Sequence, residues 1–192
     1  MKTKNLLGML FITMSMITFQ NAFSQSKMMK EETKMVGGAE MYPSKNIVEN
    51  AVNSKDHTTL VAAVKAADLV EVLISDGPFT VFAPTNTAFD KLPEGTVASL
   101  LKKENQAMLQ TVLKYHVVAG KWDAKSISKL IKKGKGKATV ETVSGGMLTI
   151  WTKDNAVYIT DEQGNSAMVT IADVHQSNGV IHVIDTVLLP KS

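Results

Sequence analysis

The sequence predicts one α+β domain over residues 44–190, with helices and strands partly segregated, and three observations carry that prediction. Up to about residue 133, most apolar residues recur at helical spacing. From Ala138 onward they alternate at strand spacing between short polar turns. The length from Ser44 to Pro190 suits a single core. No cysteine is present, so packing rather than disulfides or thiolate-bound metal must hold that core together.

Ser44 is the expected N-cap of a first helix whose apolar face is Ile47, Val48, Ala51 and Val52. A second follows Asp56 with Leu60, Val61 and Val64 inward. A short third carries Leu69, Val72 and Leu73 until Asp76, Gly77 and Pro78 stop it. Phe79, Val81 and Ala83 alternate with Thr80 and Phe82, which predicts a strand ended by Pro84. Thr85 then caps a helical turn in which Asn86 and Thr87 offer side-chain oxygens to free amides. Val97, Leu100 and Leu101 mark another short helix, and Met108, Leu109, Val112 and Leu113 a longer one that runs into Tyr115 and His116. Beyond Trp122, Ile127, Leu130 and Ile131 oppose Lys125, Lys129 and Lys132, the pattern of an amphipathic helix ending near Gly134. Strands are expected at 138–143, 147–152, 156–160, 166–174 and from Gly179 onward, forming a largely antiparallel sheet system.

The N-terminus reads as a secretory leader: basic MKTKN, an apolar run from Leu6 to Phe19 too short to span a bilayer comfortably, and Ala22 and Ser24 as small residues before a cleavage point. Residues 1–24 are therefore assigned to a signal peptide, which places the mature protein in the periplasm or outside the cell. Losing Lys2 and Lys4 lowers the formal charge from +3 to +1. Residues 25–43, charged and without clear periodicity, read as a flexible linker. All 21 basic residues are lysine, which argues against forked recognition of bases or phosphates, so no nucleic acid partner is expected.

The closing strand, NGVIHVIDTVLLP, raises the question of function because His182 and Asp185 sit among residues apolar on both faces. Strand alternation sends the two to opposite faces, so they cannot easily pair. A hydrolytic triad of Ser177, His182 and Asp185 is disfavoured for that reason and because no G-x-S-x-G turn is present. The four histidines show no H-E-x-x-H spacing, so neither metal nor cofactor is expected.

TVFAPTNTAFDKLP, LKYHVVAGK and NGVIHVIDTVLLP, in that order, together resemble the fasciclin domain family over about residues 46–190. The resemblance implies a wedge-like β-sandwich with helices packed around its N-terminal half. It also implies an extracellular adhesion or matrix-binding module rather than an enzyme, here in a bacterial setting. A Tyr-His pair among branched apolar residues has been proposed as an integrin-binding element in animal members. The matching residues are Tyr115 and His116, which makes them the candidate adhesion pair, although the apolar surroundings favour a packed role. Thr85, Asn86, His182 and Asp185 fall in the family's motifs and are expected to be architectural.

The feature that points outward is the run from Lys121 to Lys137, with seven lysines opposed by Asp123 alone. Its Lys125, Lys129 and Lys132 are the candidate contacts to an anionic polymer such as an acidic polysaccharide. The expected partner is thus a cell-surface or matrix component, met by a monomer that does not span a membrane. The alternative is a small-molecule or lipid binding protein with a pocket between helices and sheet.

Overall fold

A computed structural model describes residues 32–191. The expected leader and residues 25–31 of the expected linker lie outside them. The rest of that linker is not a spacer. Strands β1 (Lys34–Val36) and β2 (Ala39–Met41) pair antiparallel around Gly37 and Gly38, whose φ angles of 58° and 76° suit a tight two-residue turn. Val36 and Met41 are buried against the helices, so core packing fixes the hairpin.

Helix α1 (Ile47–Ala51) starts from Asn46 rather than Ser44. Asn46 Oδ1 accepts from the Glu49 amide at 2.9 Å and Glu49 Oε2 accepts from the Asn46 amide at 2.8 Å. Three residues beyond Ser44 stands Ile47, which cannot reciprocate in this way. A 3₁₀ turn (Lys55–His57) leads into α2 (Thr58–Ala66), followed by α3 (Val70–Ile74), strand β3 (Phe79–Pro84), and short helices α4 (Asn86–Asp90) and α5 (Thr96–Leu100). Then come α6 (Gln106–Tyr115), β4 (Val117–Ala119) and α7 (Ala124–Lys133). The remaining strands are β5 (Lys137–Glu141), β6 (Met147–Lys153), β7 (Ala156–Thr160), β8 (Ser166–Gln176) and β9 (Gly179–Ile184).

Seven strands form one sheet in the order β4-β3-β9-β8-β7-β6-β5, and every pairing is antiparallel except β3 with β9. Strand β8 turns the sheet: Ser166–Met168 pair with β7 and Val169–Gln176 with β9, with register shifts on either side of Ile171. The Val143 amide, just past β5, donates to Val117 O of β4 at 2.7 Å, which brings the two edges of the sheet together. The fold is therefore the expected α+β arrangement, with the two leaves of the wedge supplied by one curled, barrel-like sheet.

Two cores follow from that curl. Val81, Ala83, Ile181 and Val183 face α1, α2 and α6, whereas Phe82, Ile184, Leu148, Ile150 and Ile159 fill the sheet interior beneath Ile127 and Ile131 of α7. Strand β9 is buried at all six positions because helices cover one face and the sheet interior the other. That double burial is why its sequence is apolar at every position but His182.

Candidate functional site

Tyr115 ends α6 and His116 opens the turn into β4, and both are buried, at 0% and 3% exposure. The Tyr115 hydroxyl donates to Met147 O at 2.9 Å and accepts from the Glu162 amide at 3.0 Å. Burial, opposed by the Glu162 amide and reinforced by the carboxylates of Glu162 and Asp161, pushes its pKa up to about 12. Gly146 makes room for the ring, since a Cβ there would stand 2.6 Å from it. His116 Nδ1 lies 2.8 Å from Val112 O, and Nε2 accepts from the Leu188 amide at 3.0 Å. These partners assign the proton to Nδ1 and leave the ring neutral. Desolvation, against the pull of Val112 O and Asp161, lowers its pKa to about 4.

Asp161, which the sequence reading passed over, completes this junction. It is buried, and its carboxylate accepts from the amides of Gln163, Asn165 and Leu189 at 3.0, 2.8 and 2.9 Å. Together Tyr115, His116 and Asp161 tie α6, the β7–β8 turn and the C-terminal segment into one unit. The sequence signal was the turn chemistry of Asp161–Asn165, an acidic residue before Gly164 and Asn165.

His182 and Asp185 are not brought together. His182, 1% exposed, places Nε2 2.8 Å from Trp122 O and accepts from the Asp173 amide on Nδ1 at 3.3 Å, while its ring stacks on Phe82. Burial outweighs these contacts and lowers its pKa. With both nitrogens engaged, neither serves Ser177 as a base. Asp185 lies just past β9, accepts from the Met168 amide at 2.8 Å and pairs with Lys91 at 3.3 Å. Partial burial works to raise its pKa, but the Met168 amide, Thr186 and Lys91 prevail and hold it below the usual carboxylate value.

Thr85 Oγ1 accepts from the Ala88 amide at 3.3 Å, capping α4. Asn86 reaches out of that helix: Oδ1 accepts from the Thr59 amide at 3.0 Å and Nδ2 donates to Lys55 O at 2.8 Å, which binds α4 to the start of α2. Asn86→Ala is expected to cost about 1–2 kcal/mol by leaving these backbone groups unpaired, while Thr85→Ala costs about 1 kcal/mol as a lost cap. Urea denaturation at constant m-value checks the order of the two.

Lys125, Lys129 and Lys132 stand exposed on α7, whose opposite face buries Ile127 and Ile131. Asp123 caps the helix by accepting from the Ser126 amide at 2.7 Å. The two ion pairs among the described residues, Lys91–Asp185 and Lys102–Glu104, leave out all three lysines. Among the described residues no group of three or more histidines and carboxylates is placed to hold a metal.

The fasciclin domain family model matches residues 55–190. The chain belongs to the fasciclin domain family. Protein sll1483 of Synechocystis is 48% identical over 160 residues, 83% of this chain and 82% of that protein. Cell surface glycolipoprotein MPB83 of Mycobacterium bovis is 34% identical over 147 residues, 74% of this chain and 59% of its own length. Among solved structures, a FAS1 domain pair from the insect cell adhesion molecule fasciclin I superposes with a TM-score of 0.68 at 19% identity over 77% of this chain. The match spans about half of that pair, 52% of its length, and shows the fold. The three stretches that carry the sequence resemblance lie within residues 55–190, on the β3–α4 unit, the α6–β4 junction and β9 with the residues after it.

Proposed function

We propose that this fasciclin domain is an exported, non-enzymatic adhesion module that meets an anionic polymer of a cell surface or matrix through α7. The observation that carries the reading is the exposed row of Lys125, Lys129 and Lys132, in no ion pair among the described residues, on a helix anchored by Ile127 and Ile131. Export rests on the leader read at residues 1–24, and no helix among the described residues is long and apolar enough to cross a membrane. Likeness to a domain pair from a cell adhesion molecule and to a cell surface glycolipoprotein supports the same setting. The burial and internal bonding of Tyr115 and His116 favour a scaffold role over first contact with a partner.

The test is retention on beads carrying a carboxylated polysaccharide, with neutral dextran beads as control. Replacing the three lysines by glutamine is expected to weaken binding about tenfold at low salt. It should also flatten the salt dependence, because exposed charges are screened over roughly 10 Å at moderate salt. The melting temperature should stay within about 2 °C of the parent's, since nothing in the core changes. Binding that ignores both salt and the triple substitution would remove α7 from the mechanism.

A further inference from the structure

Between α1–α3 and the sheet lies an apolar cavity of about 120 Å³, walled chiefly by residues such as Ile47, Leu60, Val64, Leu69, Val81 and Ile181. Helix α3 covers it poorly. Four of its five residues are apolar, none is fully buried, and Val72 on the cavity wall is 46% exposed. Val143, also on the wall, is 44% exposed. Apolar surface left open beside a void is a place for an apolar guest rather than for water.

The polar groups on the wall decide which guest. Ser54 Oγ lies 2.8 Å from His57 Nδ1, and His116 is bonded at both nitrogens. His57 Nε2 closes no well-formed hydrogen bond; burial lowers the ring's pKa, with the Ala83 backbone opposing. Apart from that single histidine nitrogen, the interior has little to offer a polar head. Among the described residues the charged ones on the wall are Lys65, exposed, and Lys114, half-buried; neither is in an ion pair with another of them, and none of their carboxylates lines the cavity. Their stems can lie along the apolar wall while the ammonium groups stay at its mouth.

We propose that the cavity takes the aliphatic chain of a free monocarboxylate, with the carboxylate held at the mouth by Lys65 and Lys114. A 150 Å³ apolar cavity admits the six carbons of benzene, so this smaller void holds about five. The open rim at Val72 and Val143 extends the chain to about ten. The site is separate from the lysine face of α7, and either can fail without the other.

Methyl chemical shifts of Val64 and Leu69 followed during titration with hexanoate, octanoate and decanoate, below their micellar concentrations, test the proposal. Affinity is expected to rise about fourfold per added methylene while the chain remains inside. Octylammonium should bind more weakly than octanoate. Lys65→Gln with Lys114→Gln should weaken octanoate about tenfold and leave octanol unchanged. Ala51→Leu, at a partly exposed wall position, should fill the void and abolish binding of both. Absent methyl shifts, affinity flat across the chain series, or equal affinity for octylammonium would each overturn the proposal, and the chain series does so even if Ala51→Leu does not fold. Binding to phosphatidylglycerol vesicles without binding to monomeric octanoate would overturn it as well.

Discussion

Tyr115→Ala is expected to lower unfolding stability by about 4 kcal/mol, enough to consume a large part of the margin of a domain this size. The ring is fully buried among the side chains that fill the sheet interior, so its loss leaves a cavity beside Leu148 and Leu188. Removing the hydroxyl also strips Met147 O and the Glu162 amide of their partner. Tyr115→Phe separates the two contributions: it keeps the packing and should cost only about 1–2 kcal/mol, the range for leaving partly buried backbone groups unpaired. Urea denaturation reads both values as shifts in midpoint at constant m-value. If Tyr115→Ala unfolded at the parent's midpoint and yet lost adhesion, the ring would be a contact residue and the scaffold role assigned to it would fall.

The sequence made some of this junction legible and hid the rest for physical reasons. Helix α7 was readable, and its end to within a residue, because its apolar and lysine faces are fully separated and Gly134 follows it. Strands β5–β9 were readable because turn residues punctuate a regular alternation. Burial of His182 could be inferred from its apolar neighbours. Its partners, Trp122 O and the Asp173 amide, are contacts across the fold that no local pattern encodes. The parallel pairing of β3 with β9 is of the same kind: apolar residues on both faces announce two covers without saying which strand lies alongside. The hairpin at Lys34–Met41 was missed although Gly37 and Gly38 between two short apolar-bearing strands are a hairpin signal. Charged residues upstream and at Lys34 and Glu40 diluted the alternation.

Acid should destabilise the domain well before its carboxylates titrate. His116 has a pKa of about 4 in the folded protein and an ordinary value of 6.5 when exposed by unfolding. Above pH 6.5 the ring is neutral in both states and the full stability is present. Between 6.5 and 4 the unfolded chain takes up a proton that the native ring refuses, so stability falls with pH by up to about 1.4 kcal/mol per unit. By pH 5 the loss from this ring alone should be about 2 kcal/mol. His57 and His182, whose pKa values are also lowered by burial, push in the same direction. Asp123 and Asp185 are held below the usual carboxylate value, so stability tied to them is lost only in stronger acid. His116→Asn should be less stable than the parent at pH 7.5, because Val112 O and the Leu188 amide lose a fitted partner, but its stability should fall less steeply between pH 6.5 and 4.5. Urea midpoints across that range, with the His116 ring followed by NMR in the native protein, decide the matter. A native ring that titrates near 6.5, or a variant whose pH slope equals the parent's, would show that His116 is not the buried neutral bridge between Val112 and Leu188 on which the junction depends.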